Sequence, residues 1–250
     1  MSFATKFEKI NMALSHPSLF RSKKNYLFIL SHMRSRSSLL SHLLGSHPEI
    51  CGYGELHYDY PTPTSLFKMH LELYKDLNDI NGSKYYLDKV LHNSYVISNK
   101  ILSNPKVHIL VLFREPKATI RSLVKMGEET NKPEYSDTDK MLQYYIKRIS
   151  YLLDISKKFS KVHIVESDKV VKDTANTLTE LSDWLNLNSE LSENYHLFNK
   201  TGKAGHGDPS PSIGSGKIIE TNNSQSIELD EDLLEIALQH YRNLSILANR

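Results

Sequence analysis

The chain has 250 residues, 39% apolar and 24% charged, an ordinary globular balance that excludes a disordered chain and predicts one domain over residues 1–250. Lys plus Arg number 31 against 29 for Asp plus Glu, a formal charge of +2, so no overall field points to nucleic acid and any phosphate-binding charge must be local. The single cysteine, Cys51, excludes an internal disulfide framework and a thiolate zinc cluster, and no apolar run reaches the length of a signal-peptide core or a membrane span, so a reducing, cytoplasmic setting is expected.

Residues 26–30, Tyr-Leu-Phe-Ile-Leu, form a short wholly apolar run of the kind that a strand buried on both faces of a parallel sheet produces. A polar stretch over 31–38 follows, then apolar residues at helical spacing over 39–44, closed by Gly45 and Pro48. Pro61-Thr62-Pro63-Thr64 predicts a loop at the mouth of a site, leading into a helix near 65–74. A weaker strand is predicted at 84–90 and stronger ones at 107–113 and 161–165, with helices at 94–102, 116–126, 137–159, 174–185 and 230–248. This alternation predicts an α/β fold of three layers, a central parallel sheet covered by helices on both sides. Residues 201–216 contain five glycines and two prolines, a composition for a long loop, and Lys203, His206 and Lys217 give it groups that seek anions.

The loop after the first strand carries the clearest chemistry. A chain that leaves a buried strand and enters a helix turns unpaired amides and the positive helix end toward one point, where an anion is favoured. Arg34 and Arg36 add two guanidinium groups there, and Ser31, Ser35, Ser37 and Ser38 add hydroxyls, more than one helix cap requires. Neither the Gly-x4-Gly-Lys-Ser/Thr nor the Gly-x-Gly-x-x-Gly pattern occurs, which argues against a standard nucleoside triphosphatase or a dinucleotide dehydrogenase. Arg114, at the end of the strand 107–113, sits where open α/β sheets bind ligands, with Pro116 suited to the first turn of the next helix.

Arg34-Ser35-Arg36-Ser37-Ser38 resembles the 5′-phosphosulfate loop of the sulfotransferases whose donor is 3′-phosphoadenosine 5′-phosphosulfate (PAPS); Arg36 stands where that family usually has glycine. Arg114-Glu115-Pro116 with Ser122 is similar to the family's Arg-x-Pro and helix serine, which bind the donor's 3′-phosphate. The resemblance spans about residues 26–217 and is nearest to bacterial carbohydrate-type members. It implies a P-loop-like α/β fold, PAPS as donor and its desulfated product PAP, no metal, and a small hydroxyl-bearing acceptor. It further implies donor contacts from Arg34, Ser35, Arg36, Ser37, Ser38, Arg114 and Ser122, with Lys203 and Gly205 in a loop closing over the nucleotide. No nucleic-acid partner or integral membrane segment is expected; a homo-oligomer is compatible with the sequence.

Sulfuryl transfer needs a base at the acceptor hydroxyl and positive charge at the leaving phosphate, a role for Arg34. Glu55, in Gly52-Tyr53-Gly54-Glu55-Leu56-His57, is the first candidate base and His57 the second, with the flanking glycines suggesting a tight path beside the ligand. His32 is either a donor to the sulfuryl oxygens or a packed loop residue, and Asp88, Lys89 and His92 lie at the edge of the expected site. Two other readings fit the same loop: a nucleotide-dependent phosphotransferase and a noncatalytic nucleotide-binding module.

Overall fold

The computed structural model describes residues 24–77, 82–203, 212–220 and 226–249. Five strands, β1 (Asn25–Ser31), β2 (Ile50–Cys51), β3 (Tyr85–Val90), β4 (Val107–Phe113) and β5 (Val162–Glu166), pair in the order β2-β3-β1-β4-β5, every pair parallel. Side chains alternate across β1. Phe28 and Leu30 pack against α2 (Ser65–Leu77), α3 (Asn99–Leu102), α4 (Pro116–Thr130), α5 (Thr138–Lys158) and α8 (Glu231–Ala248). Leu27 and Ile29 face α1 (Ser37–Gly45), α6 (Lys169–Lys172) and α7 (Thr174–Trp184). The three-layer expectation is met, because strands apolar on both faces must be covered twice.

Three sequence expectations need correction. The helix expected at 94–102 forms only over Asn99–Leu102, since the chain before it runs extended, with Ser98 at φ −65°, ψ 147° and Ile97 bridged to Tyr60. The weaker strand expected at 84–90 is present as β3, with all six residues buried, but the two-residue edge strand β2 was missed, being too short to show a period. The helix expected to end at Met126 continues to Thr130. Gly127 is no stop signal: a Cβ there would lie 2.8 Å from that of Tyr135, so glycine lets the chain fold back against the helix. The true stop is Asn131, left-handed at φ 52°, whose N–H returns to the last turn.

Parallel strands place all their carboxyl ends on one side of the sheet, and β1 and β4 flank the point from which crossovers run to opposite faces. The loops after β1, β3, β4 and β5 meet there. Among the described residues no helix is long and apolar enough to cross a membrane.

Candidate active site

Those loops surround a cavity of about 500 Å³. Arg34, Arg36, Ser37, Ser38, Arg114, Ser122, Glu55 and His57 all line it, so segments nearly ninety residues apart in sequence converge. Arg34 and Arg36 both adopt left-handed backbone, at φ 60° and 61°. The second is the position where glycine was expected from the resemblance, and the conformation is the one glycine adopts without penalty. Arg36 caps α1 with no side-chain hydrogen bond, so the first-turn amides of that helix are not taken up by a cap.

Arg34 Nε donates to Ser122 Oγ at 3.0 Å, and Arg114 Nη1 donates to the Arg34 carbonyl at 3.1 Å, which joins the loops after β1 and β4 directly. Burial, reinforced by Arg36, lowers the Arg114 guanidinium to about 10, which leaves it charged at neutral pH. Asp168, just past β5, pairs with Arg36, lies 3.8 Å from Arg114 Nε and accepts from Lys172 at 3.0 Å. Burial pushes Asp168 up, but hydrogen bonds from Lys172 and Arg36 outweigh it and hold the carboxyl below its ordinary range. Asp168 was not among the residues singled out from the sequence; an acidic residue just past the carboxyl end of a predicted strand was the available signal.

Ser35 does not join the cradle. Its hydroxyl is fully buried, donates to the His32 carbonyl at 2.8 Å and meets Ser31 Oγ, so it locks the loop from beneath. His32 is likewise a packed residue. Its Nε2 accepts from the Arg114 N–H at 3.0 Å, which leaves Nδ1 to donate to the Met33 carbonyl at 2.9 Å, and burial drives its pKa down to about 3. The ring therefore stays neutral and bridges the β1 and β4 loops rather than facing a ligand. Arg121 lines a separate, shallower cavity with Lys117 against the start of α8.

Lys89 was expected only at the edge, yet it is 1% exposed and lies behind the cradle. Its Nζ donates to Ser38 Oγ at 3.0 Å and stands 3.5 Å from Glu55 Oε1. One ammonium thus connects α1 with the candidate base. Asp88, on the opposite face of β3, accepts from the Leu56 N–H at 2.9 Å and the Tyr60 hydroxyl at 2.6 Å, and so pins the segment that carries Glu55 and His57. The path is tight at one glycine only: a Cβ on Gly52, at φ 118°, would run into the Leu87 carbonyl, whereas one on Gly54 meets nothing within 4 Å. His57 is exposed and left-handed at φ 56°, while His92 is half-buried in the same cavity lining and burial lowers its pKa.

Tyr195, Ile213 and Lys217 bring the final loop to the cavity. His42 ties the start of that loop to α1, meeting the Ser38 carbonyl at 2.7 Å and Thr201 Oγ1 at 2.9 Å. Lys203 is exposed and does not line the cavity, and Gly205 and His206 lie outside the described residues.

No family profile and no curated protein matches the sequence. Solved structures do match in fold. The sulfotransferase domain from the curacin biosynthetic pathway superposes with a TM-score of 0.56 at 18% identity, over 86% of this chain and 97% of that one. The sulfotransferase domain of the Synechococcus PCC 7002 olefin synthase gives 0.50 at 17% identity, over 88% and 96%. The chain therefore has the α/β fold of sulfotransferase domains, along nearly the whole length of each.

Proposed function

We propose that the protein is a sulfotransferase that moves a sulfuryl group from PAPS to the hydroxyl of a small acceptor. The observation that carries this reading is the meeting of Arg34, Arg114 and Ser122 in one cavity that also holds Glu55. A guanidinium pair joined through a backbone carbonyl and a serine hydroxyl suits a phosphate monoester, the group that distinguishes the 3′-position of PAPS. The α1 amides with Ser37 and Ser38, the latter held from behind by Lys89, suit the 5′-phosphosulfate.

In the reaction the acceptor oxygen bonds to sulfur while the bond between sulfur and the 5′-phosphate oxygen breaks. Glu55 takes the hydroxyl proton, and the electron pair of the broken bond remains on the phosphate of PAP. Negative charge grows on that phosphate, so fixed cations near it act most strongly in the transition state. Lys89 supports both ends of the transfer, since it contacts Ser38 of the cradle and stands beside the Glu55 carboxylate. The chemistry asks for no metal, and activity is expected to persist in EDTA.

The test separates the two phosphate subsites. Arg114→Ala should weaken PAP binding by about 2–5 kcal/mol, the cost of removing one partner of a buried charged contact, and leave adenosine 5′-phosphosulfate nearly unaffected. Calorimetric titration of both ligands measures the difference. Equal losses would remove the 3′-phosphate assignment, and tight binding of ATP with magnesium but not of PAP would favour a phosphotransferase.

A further inference from the structure

Helix α5 lines no part of the cavity, yet three of its side chains reach the loops that form it. Tyr144 and Arg148 are four residues apart and share one helix face. The Tyr144 hydroxyl accepts from the Met33 N–H at 3.0 Å and donates to the Leu91 carbonyl at 3.2 Å. Arg148, 1% exposed, donates from Nε to the Ser31 carbonyl at 2.7 Å, from Nη2 to the Val90 carbonyl at 2.6 Å and from Nη1 to Asn93 Oδ1 at 2.7 Å. Beside them, Tyr145 donates to the Arg114 carbonyl at 2.7 Å.

The five partners of Tyr144 and Arg148 fall into two groups. Ser31 and Met33 begin the loop that carries Arg34 and Ser38. Val90, Leu91 and Asn93 bracket His92 and follow Lys89 directly. Each of the two side chains bridges both groups. A buried guanidinium whose acceptors are two carbonyls and an amide, none a carboxylate, is an expensive way to fill a core. Leu or Met would fill the same space at a helix–sheet contact, and neither could bind the ends of two adjacent strands. Only a planar fork of donors satisfies three oxygens on both strands at once.

We propose that Tyr144 and Arg148 are positioning residues that set the separation between the donor loop, residues 31–38, and the cavity wall at 89–93, and thereby the rate of sulfuryl transfer. This rests on the sulfotransferase reading. Donor binding draws on Arg34, Arg114, Ser122 and the α1 amides, which keep their own mutual contacts when the clasp is loosened. Transfer depends on the distance from the bound sulfuryl group to Lys89, Glu55 and the acceptor, and that distance spans the clasp.

The experiment uses Arg148→Lys, which retains the charge but cannot satisfy all three oxygens, and Tyr144→Phe, which removes one hydroxyl from an otherwise intact core. PAP affinity and the single-turnover rate of sulfuryl loss from PAPS at saturating enzyme are measured, with 4-nitrophenol as acceptor and water as the acceptor always present. Both variants should bind PAP as the wild type does and transfer at least about tenfold more slowly, as misplacement of reacting groups by an ångström or less predicts. A loss of PAP affinity equal to the loss of rate, or unchanged rates in both variants, overturns the proposal. Wild-type protein that does not bind PAP, or that binds PAPS without transferring its sulfuryl group, instead overturns the sulfotransferase reading beneath it.

Discussion

Arg36 holds a conformation that its own side chain disfavours, and this sets a test. Glycine is already preferred over alanine at a helix N-cap, and at φ 61° the Cβ adds a burden of its own. Arg36→Gly should therefore be more stable than Arg36→Ala by about 1 kcal/mol, read from denaturant midpoints, and a more stable alanine variant would show that the left-handed backbone relaxes. Glu55 tests chemistry in place of backbone. Glu55→Gln keeps the shape and part of the contact with Lys89 but abolishes basicity, so PAP affinity should hold while turnover falls on the order of 10²–10⁴-fold. His57→Gln, at an exposed position, should cost little; a large loss there with a shifted pH profile would move the base to His57. Much of this cavity lining was legible in the sequence, Arg34, Arg36, Ser37, Ser38 and Arg114 from residue types and Ser122 through the resemblance, and all six reach one cavity. Ser35 and His32 could not be sorted from their neighbours, because a hydroxyl or imidazole turned inward is written with the same letter as one turned toward a ligand.

At the scale of elements, the segment between α1 and α2 is shaped by contacts with β3 rather than by its own propensity. Gly52→Ala forces a Cβ against the Leu87 carbonyl and should destabilise by more than about 2 kcal/mol, while Gly54→Ala, in open space, should leave stability within about 0.5 kcal/mol. Comparable effects at both glycines would mean that the segment does not lie on β3 as described. The two glycines look alike in sequence, and this is why the tight path was expected on both sides of Tyr53. Long apolar strands such as Val107–Phe113 were legible because burial on both faces leaves no polar position to blur the run. β3 was harder to read because Asp88 and Lys89 interrupt it, and each is buried for a tertiary reason: one pins Leu56 and Tyr60, the other reaches Ser38 and Glu55. The 94–102 helix failed for the converse reason, a bridge from Ile97 to Tyr60 that local pattern does not encode.

For the whole molecule, Asp88 makes stability depend on pH in a direction opposite to that of most carboxylates. Burial raises its pKa from 3.8 to about 7, and the hydrogen bonds from Tyr60 and Leu56 only partly counter it. The folded state therefore binds this proton more tightly than the unfolded chain does. The stabilisation is complete below about pH 4 and is lost as pH rises through 7, a change on the order of 2–4 kcal/mol. His32 runs the other way. Its pKa falls from 6.5 to about 3 in the fold, so the unfolded chain takes up a proton first and stability is lost as pH falls below 6.5. The two slopes oppose each other between about pH 4 and 6.5, and the wild-type curve alone hides both. Asp88→Asn retains an acceptor for the Leu56 N–H and lets the Tyr60 hydroxyl accept instead of donate, but it has no proton to lose. The difference between the two stability curves should then grow steadily from pH 4 to pH 8, with the Asn variant the more stable at the alkaline end. Parallel curves across that window would show that Asp88 ionises in the fold as readily as in the unfolded chain, and that the Leu56–Tyr60 segment is held by a charged carboxylate after all.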